Sequence, residues 1–368
     1  MYLKLVVLLL ALLYMFYLKG QNCDTNCDEY DKRRLKLSCF IGLLLILQSG
    51  LRHISVGPDT YNYYNIFCDR IDWEWKQVFE HFVDVYVSGE GKDAGFSLII
   101  KLFSYLSKDY QLFLVFVAFC IFAPLMRFLY LNTSRLEDLV LALYVYQILF
   151  YGFFSVTGIR QTIATGFCLT AYEYVKSRNL FLFLICIFAG ALIHKSCLLF
   201  LPFYWIANIN SIRLLFAVCL CSFPLMAEVG RSFTLEMAIL SGSDNYLMYA
   251  EEESKGAINL IIFYFVITLG GFYNYWNDEN WISQNKMMLS AISIGIFFLP
   301  LTLFSANLVR IVQYFSIFLL VYIGSVYNFK GKGVVLIWQL VVFFALLYKL
   351  LSTRAEYYFF WENVPLNI

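Results

Sequence analysis

Apolar runs recur along this chain from end to end, separated by polar turns and by two longer polar stretches. The clearest pattern lies at 155–205, SVTGIRQTIATGFCLTAYEYVKSRNLFLFLICIFAGALIHKSCLLFLPFYW. It predicts an apolar helix that opens at Gly158, Ile159, Arg160 and Gln161 and closes near Tyr174. A polar turn, Lys176-Ser177-Arg178-Asn179, reverses the chain, and a second apolar helix climbs from Leu180 to His194. Each leg of roughly 15–17 residues is about 24 Å long at the rise of an α-helix. That nearly crosses a hydrocarbon core of about 30 Å. Arg160 and His194 are therefore expected at one mouth of a transmembrane hairpin, opposite the basic turn. Ionisable side chains at that depth are costly and call for a reason.

The same pattern predicts spans at 2–18, 37–51, 110–130, 139–154, 197–206, 214–226, 257–276, 287–304, 308–328 and 334–351, about twelve with the hairpin. The run at 94–106 is apolar on one face, carries Lys101 at its middle, and reads as a re-entrant or interfacial helix. The first run has its basic flank after it, at Lys19, Lys32, Arg33, Arg34 and Lys36, and no small-residue cleavage site. It reads as an uncleaved anchor with its N-terminus outside. The turns with Lys176/Arg178 and Lys330/Lys332 then fall inside, as the positive-inside rule requires. The polar stretches 52–109 and 228–256 become external loops. No short repeat and no Gly/Ser- or Pro-rich linker divides the chain, so 1–368 reads as one all-α, polytopic membrane domain.

Composition agrees. The 368 residues are 61% hydrophobic and only 14% charged, whereas soluble domains are nearer half apolar and a quarter charged. A net charge of +1 leaves no basic footprint for nucleic acid. The 28 Tyr and 37 Phe suit interfacial belts and packing, with some left over to line a site for sugars or isoprenoid chains. Most of the ten Cys lie inside apolar runs and read as small hydrophobes. Cys23 and Cys27 make half a metal site with no second ligand pair. Three scattered His without close acidic partners do not suggest a catalytic metal, and no cofactor is expected.

In this topology the unusual polar residues gather on the outer face. Arg160 and Arg310 each fall near a helix start, where backbone N–H groups and the helix dipole favour anions. A guanidinium there adds forked donors for phosphate. The alternative is snorkelling to headgroups, or pairing with Glu173 or Asp59. His194 follows Gly190-Ala191-Leu192-Ile193; an imidazole there can take a proton from a hydroxyl near neutral pH, or sit satisfied by a backbone carbonyl. Gln161 and Lys195 flank these two positions. His53 and His81 lie in polar context and read as ordinary. Gly57-Pro58-Asp59-Thr60 has turn chemistry, with Asp59 either a helix cap or a general base. Tyr61 and Tyr64 then share one helical face.

Five stretches, GPDTYNYY, KDAGFSLIIKLFSYLS, TGIRQTIATGFCLTAYEYVKSRN, GALIHKSCLLFLPFYW and NLVRIVQYF, resemble in order the EpsG family of exopolysaccharide proteins, which is related to the Wzy-type O-antigen and capsule polymerases. The resemblance implies a GT-C-like glycosyltransferase in the bacterial inner membrane, with its site facing the exterior. The implied reaction moves a glycan from undecaprenyl diphosphate to a sugar hydroxyl of another lipid-linked repeat unit. On this sequence, it implies that Arg160 and Arg310 hold the diphosphate, His194 serves the acceptor hydroxyl, and Asp59, Tyr61 and Tyr64 shape the sugar entrance. A flippase and a chain-length regulator are the implied partners. Two other functions fit the residues: a polyprenyl-phosphate-sugar glycosyltransferase with Asp59 as base, and a flippase of lipid-linked oligosaccharide. A flippase, however, should carry polar residues through the depth of its helices.

Overall fold

A backbone in hydrocarbon must satisfy its own hydrogen bonds, which favours helices wherever a chain this apolar crosses a bilayer. The computed structural model describes residues 2–21, 27–57, 59–91, 93–230, 232, 255–303, 308–327, 333–353 and 356–364. Nearly all of these are helical. Among the described residues there is no strand, only one isolated antiparallel bridge, between Arg52 and Phe359. Most of the expected loop 228–256, including Glu251 to Glu253, lies outside the described residues, as does Asn307.

Among the described residues, five helices are long and apolar enough to cross a membrane, or up to seven if each of two bent pairs counts as one span. This makes a multi-pass membrane protein, with fewer qualifying spans than the hydropathy pattern predicts. The reasons are local. The expected span 37–51 is the second half of Cys27–Gly50, whose first turns carry Asp28, Glu29, Asp31 and four basic residues. The expected span 139–154 is broken by two π-helical segments, Tyr146–Phe150 and Gly152–Thr157. The expected span 197–206 is a 3-10 turn, Lys195–Phe200, followed by the four-residue helix Phe203–Ile206. Segments 214–226 and 308–328 each bend by about 45° near their middles, 46° and 45° respectively.

The chain divides into two compact units, 1–198 with 347–368, and 199–346. In the first, the described residues up to 198 form the α-helices α1 (Tyr2–Gly20), α2 (Cys27–Gly50), α3 (Thr60–Arg70), α4 (Trp75–Val83), α5 (Ala94–Ser104), α6 (Tyr110–Asn132), α7 (Leu136–Val145), α8 (Ile159–Lys176) and α9 (Leu180–Ile193). The tightest pairings are α2 on α6, α8 on α9 and α6 on α8. A Cβ at Gly166 of α8 would lie 3.2 Å from Pro124 of α6, the small-residue contact that lets apolar helices close on one another without a hydrophobic driving force. Buried polar groups are paired across helices. Gln48 and Gln147 exchange amide hydrogen bonds, one of them 2.6 Å, and Ser49 donates to the Ser155 carbonyl at 2.9 Å. The C-terminal strap returns to this unit: His53 N–H donates to Tyr358 O at 2.8 Å, and Tyr357 OH to Gln48 O at 2.7 Å.

The stretch between α2 and α6 is folded rather than looped, holding α3, α4 and α5 with a π-helical turn, Asp84–Ser88. Aromatic rings knit it to α6: Phe67, Phe96 and Phe103 all meet Phe113. Gly95 sits where α5 approaches the end of α9. A Cβ there would come within 2.5 Å of the Leu192 carbonyl oxygen.

In the second unit, Ile212–Cys221 packs on Lys286–Phe298, which also packs on Val309–Ser316. Phe200, Phe298 and Phe318 stack around Phe315 and its neighbours. Tyrosine hydroxyls bridge helices, Tyr264 to Ile292 O at 3.0 Å and Tyr322 to Thr268 O at 2.9 Å.

Candidate functional site

The α8–α9 hairpin forms over the expected residues, although neither leg is among the helices long and apolar enough to span, α9 having only 14 residues. Arg178 turns the chain in the left-handed region, at φ 57°, and the Asn179 side chain caps α9 by accepting from Leu182 N–H at 3.0 Å. Gly158 precedes α8, so Arg160 is its second residue. His194 lies just past α9 in extended conformation, its N–H bonded to Gly190 O at 2.9 Å. The two residues share one mouth of the hairpin.

What joins them is a third residue, Asp93. Its Oδ2 lies 3.0 Å from Arg160 Nη1 and 3.3 Å from His194 Nδ1. The Asp93 side chain is only 8% exposed, Arg160 23% and His194 17%. Asp93 stands immediately before α5 with φ 54° and ψ 56°. This left-handed conformation is costly for a residue with a Cβ, and Asp and Asn are the side chains that tolerate it best. Its position follows from the close approach of α5 to α9 at Gly95, which carries the carboxylate to the hairpin mouth. A carboxylate this buried is stable only when paired, and Arg160 and His194 are its partners here.

The arrangement has a chemical direction. With Nδ1–H aimed at the carboxylate, the neutral His194 ring keeps its acceptor lone pair on Nε2. A base oriented by a third group is the geometry of proton abstraction from a hydroxyl. The 3.3 Å separation is long, as such contacts are before substrate closes on them. Arg160 makes no side-chain hydrogen bond among the described residues beyond this ion pair. Its guanidinium carbon lies 5.6 Å from the centre of the Tyr63 ring, a cation–π contact that fixes its plane.

The other predicted residues fall as follows. Gln161 is buried one position after Arg160 on α8. Lys195 is anchored beside the mouth, donating to Val85 O at 3.2 Å and lying over the Tyr86 ring; Tyr86 OH in turn donates to Leu192 O at 2.9 Å. Asp59 precedes α3, where its backbone carbonyl accepts from Tyr63 N–H at 3.0 Å, but its side chain makes no cap. Among the described residues it touches neither Arg160 nor His194. Tyr61 and Tyr64 stack with centroids 6.2 Å apart, and Tyr64 meets Tyr110 edge-on. The tyrosine of this run that reaches Arg160 is Tyr63, on the opposite, buried face of α3. Arg310 is the second residue of Val309–Ser316, in the second unit. Glu173 lies at the far end of the hairpin, with Lys176.

Asp93, Tyr63, Arg70 and His81 are the site residues that sequence reasoning missed. The signal for Asp93 was present: an acid between two glycines, Gly91 and Gly95, at the start of an apolar helix too short to span. His81 is half-buried with Nδ1 3.0 Å from Ser97 Oγ. Burial, and then the charge of Arg70, push its pKa below the usual imidazole value. Among the described residues no group of His, Cys, Asp and Glu has the geometry of a metal site.

A separate cavity of about 480 Å³ opens in the same unit, lined in part by Leu3, Ile148, Leu149, Val156 and Thr157. Its apolar wall runs into the π-helical segment that leads to Gly158 and α8.

These features define a multi-pass α-helical membrane protein with a partly buried carboxylate, guanidinium and imidazole at one helix-hairpin mouth. The chain belongs to the EpsG family, whose pattern it matches over residues 35–363. That family is a Wzy-like polysaccharide polymerase family, which points to a polymerase-type glycosyltransferase. No curated protein and no solved structure is detectably similar to it.

Proposed function

We propose that this protein polymerises a surface polysaccharide, moving a glycan from undecaprenyl diphosphate to a sugar hydroxyl of another lipid-linked repeat unit. The reaction takes place on the outer face of the inner membrane. The observation that carries this reading is the single Asp93 oxygen shared by Arg160 and His194. Asp93 orients the imidazole, and His194 Nε2 takes the acceptor hydroxyl proton. The hydroxyl oxygen bonds to the anomeric carbon of the donor as the bond from that carbon to the diphosphate oxygen breaks. The leaving diphosphate gains charge, and Arg160 stabilises it with the N–H groups that Asp93 does not take. The cavity beside Thr157, apolar over most of its wall but with Lys4, Lys349 and Glu356 in its lining, suits an isoprenoid chain with a polar head. Gln161, Lys195, Asp59, Tyr61 and Tyr64 line the approach of the sugars. A flippase delivers the repeat units, and a chain-length regulator sets the product length.

Deletion of the gene, followed by analysis of lipid-linked glycans, tests this reading. Single lipid-linked repeat units should accumulate at the outer face, and His194→Ala and Arg160→Ala should reproduce that state at normal protein level. For His194→Ala the expected loss in polymer formation is about 10²–10⁴-fold. Polymer of normal amount and length in the deletion strain would overturn the assignment. So would normal polymer in both variants.

A further inference from the structure

Arg160 is not the only guanidinium at the mouth. Arg70, the last residue of α3, donates from Nη1 to Ser97 Oγ at 2.6 Å. Ser97 lies one helical turn beyond Asp93 on α5, so Arg70 is held to the same face of the helix that carries the carboxylate. The Arg70 guanidinium also lies 5.0 Å over the Trp73 ring. Ser97 accepts from Arg70 and so has its own hydroxyl proton to give to His81 Nδ1.

Among the described residues, no carboxylate lies within ion-pair distance of Arg70, and its buried Nε has no hydrogen-bond partner. Burial lowers the pKa of Arg70; the adjacent Asp69 carboxylate raises it, and the nearby charge of Arg160 lowers it. Asp93 is the buried carboxylate near two half-buried guanidiniums held in place from separate helices, while Asp69, next to Arg70, is exposed to solvent. Desolvated cations of like sign are unfavourable neighbours until an anion joins them. Two forked donors on separate supports match an anion with two charged centres better than one with a single centre.

We propose that Arg70, held by Ser97 and Trp73, is the second guanidinium of the anion site begun by Arg160, and takes the second phosphate of a lipid-linked diphosphate. This rests on the donor chemistry proposed above and assigns it a residue on α3.

The test is binding of undecaprenyl diphosphate and undecaprenyl monophosphate to the purified full-length protein in lipid nanodiscs. The wild-type protein should bind the diphosphate at least about tenfold more tightly, the worth of one charge-assisted hydrogen bond. Arg70→Ala should erase that preference while leaving monophosphate binding within about twofold, and Arg70→Lys should restore part of it. Ser97→Ala keeps the charge but removes its anchor. It should weaken diphosphate binding about threefold, and it serves as the reporter if Arg70→Ala does not give a monodisperse protein. Inorganic pyrophosphate should compete with the diphosphate lipid in the wild type and lose that ability in Arg70→Ala. An unchanged preference in Arg70→Ala, or an equal loss for both lipids, overturns the role of Arg70 alone. A wild-type protein that does not distinguish the two lipids overturns the diphosphate donor and this inference with it.

Discussion

The two ends of the α8–α9 hairpin carry the same ingredients, a cation and a carboxylate, and use them differently. At the turn, Lys176 meets Glu173 at 3.2 Å with side chains 35% and 17% exposed, and Asn132 joins both. The ion pair is local, between residues one turn apart on a single helix. At the mouth, Asp93 pairs with Arg160 and His194 across three elements and is almost fully enclosed. A local, half-exposed pair contributes little because water and rotamer entropy offset most of its attraction. An enclosed pair whose members come from distant segments is different: removing one partner strands a charge away from water. The comparison teaches that burial and sequence separation, rather than the presence of opposite charges, mark the end of the hairpin where chemistry is placed.

Substitutions test this contrast. The largest effect is expected from Asp93→Ala, which strands Arg160 and lets the His194 ring turn. It should abolish polymer and destabilise the fold by about 3–5 kcal/mol, measured by thermal unfolding in detergent beside a polymer assay. Wild-type stability would mean that the mouth is no more than the turn is. Arg160→Lys keeps the charge but loses the fork; polymer should fall by about 10²-fold with little change in melting temperature. Gly95→Ala touches neither charge. Its Cβ meets the Leu192 carbonyl, and pushing α5 off α9 should cost about 1–3 kcal/mol and pull Asp93 from His194, so activity should fall along with stability. At the turn, Lys176→Ala should change stability by less than about 1 kcal/mol and leave polymer length as it is. A loss there as large as at the mouth would erase the distinction.

Much of this was legible in the sequence. The hairpin, its turn and the shared mouth of Arg160 and His194 follow from apolar run length and helical rise, which are local quantities. The family resemblance also held over most of the chain. The span count was less legible because the π-helical breaks at 146–157 and the bends near residues 222 and 317 answer to packing, which hydropathy does not encode. Asp93 was hidden for a related reason. Its sequence neighbourhood is that of an exposed glycine turn, and only the docking of α5 against α9 buries it. Asp59 and Tyr61 carry more obvious local signals, yet the face of α3 that turns inward is the one bearing Tyr63. The choice between those faces is made by Phe96 and the ring cluster around Phe113.

The spacing of the Asp93–His194 pair has a consequence for how the protein is made. The two residues are 101 positions apart, and a ribosome adds roughly 5–20 residues per second. Asp93 therefore emerges roughly 5–20 s before its imidazole partner exists. Over that interval the carboxylate must stay hydrated, so α5 cannot settle into its final place against α9 until α8 and α9 have both been inserted. Closure of the mouth thus waits for residue 194, with the C-terminal strap that completes this unit following later still, and a chain stalled before residue 194 would leave α5 waiting at the membrane surface.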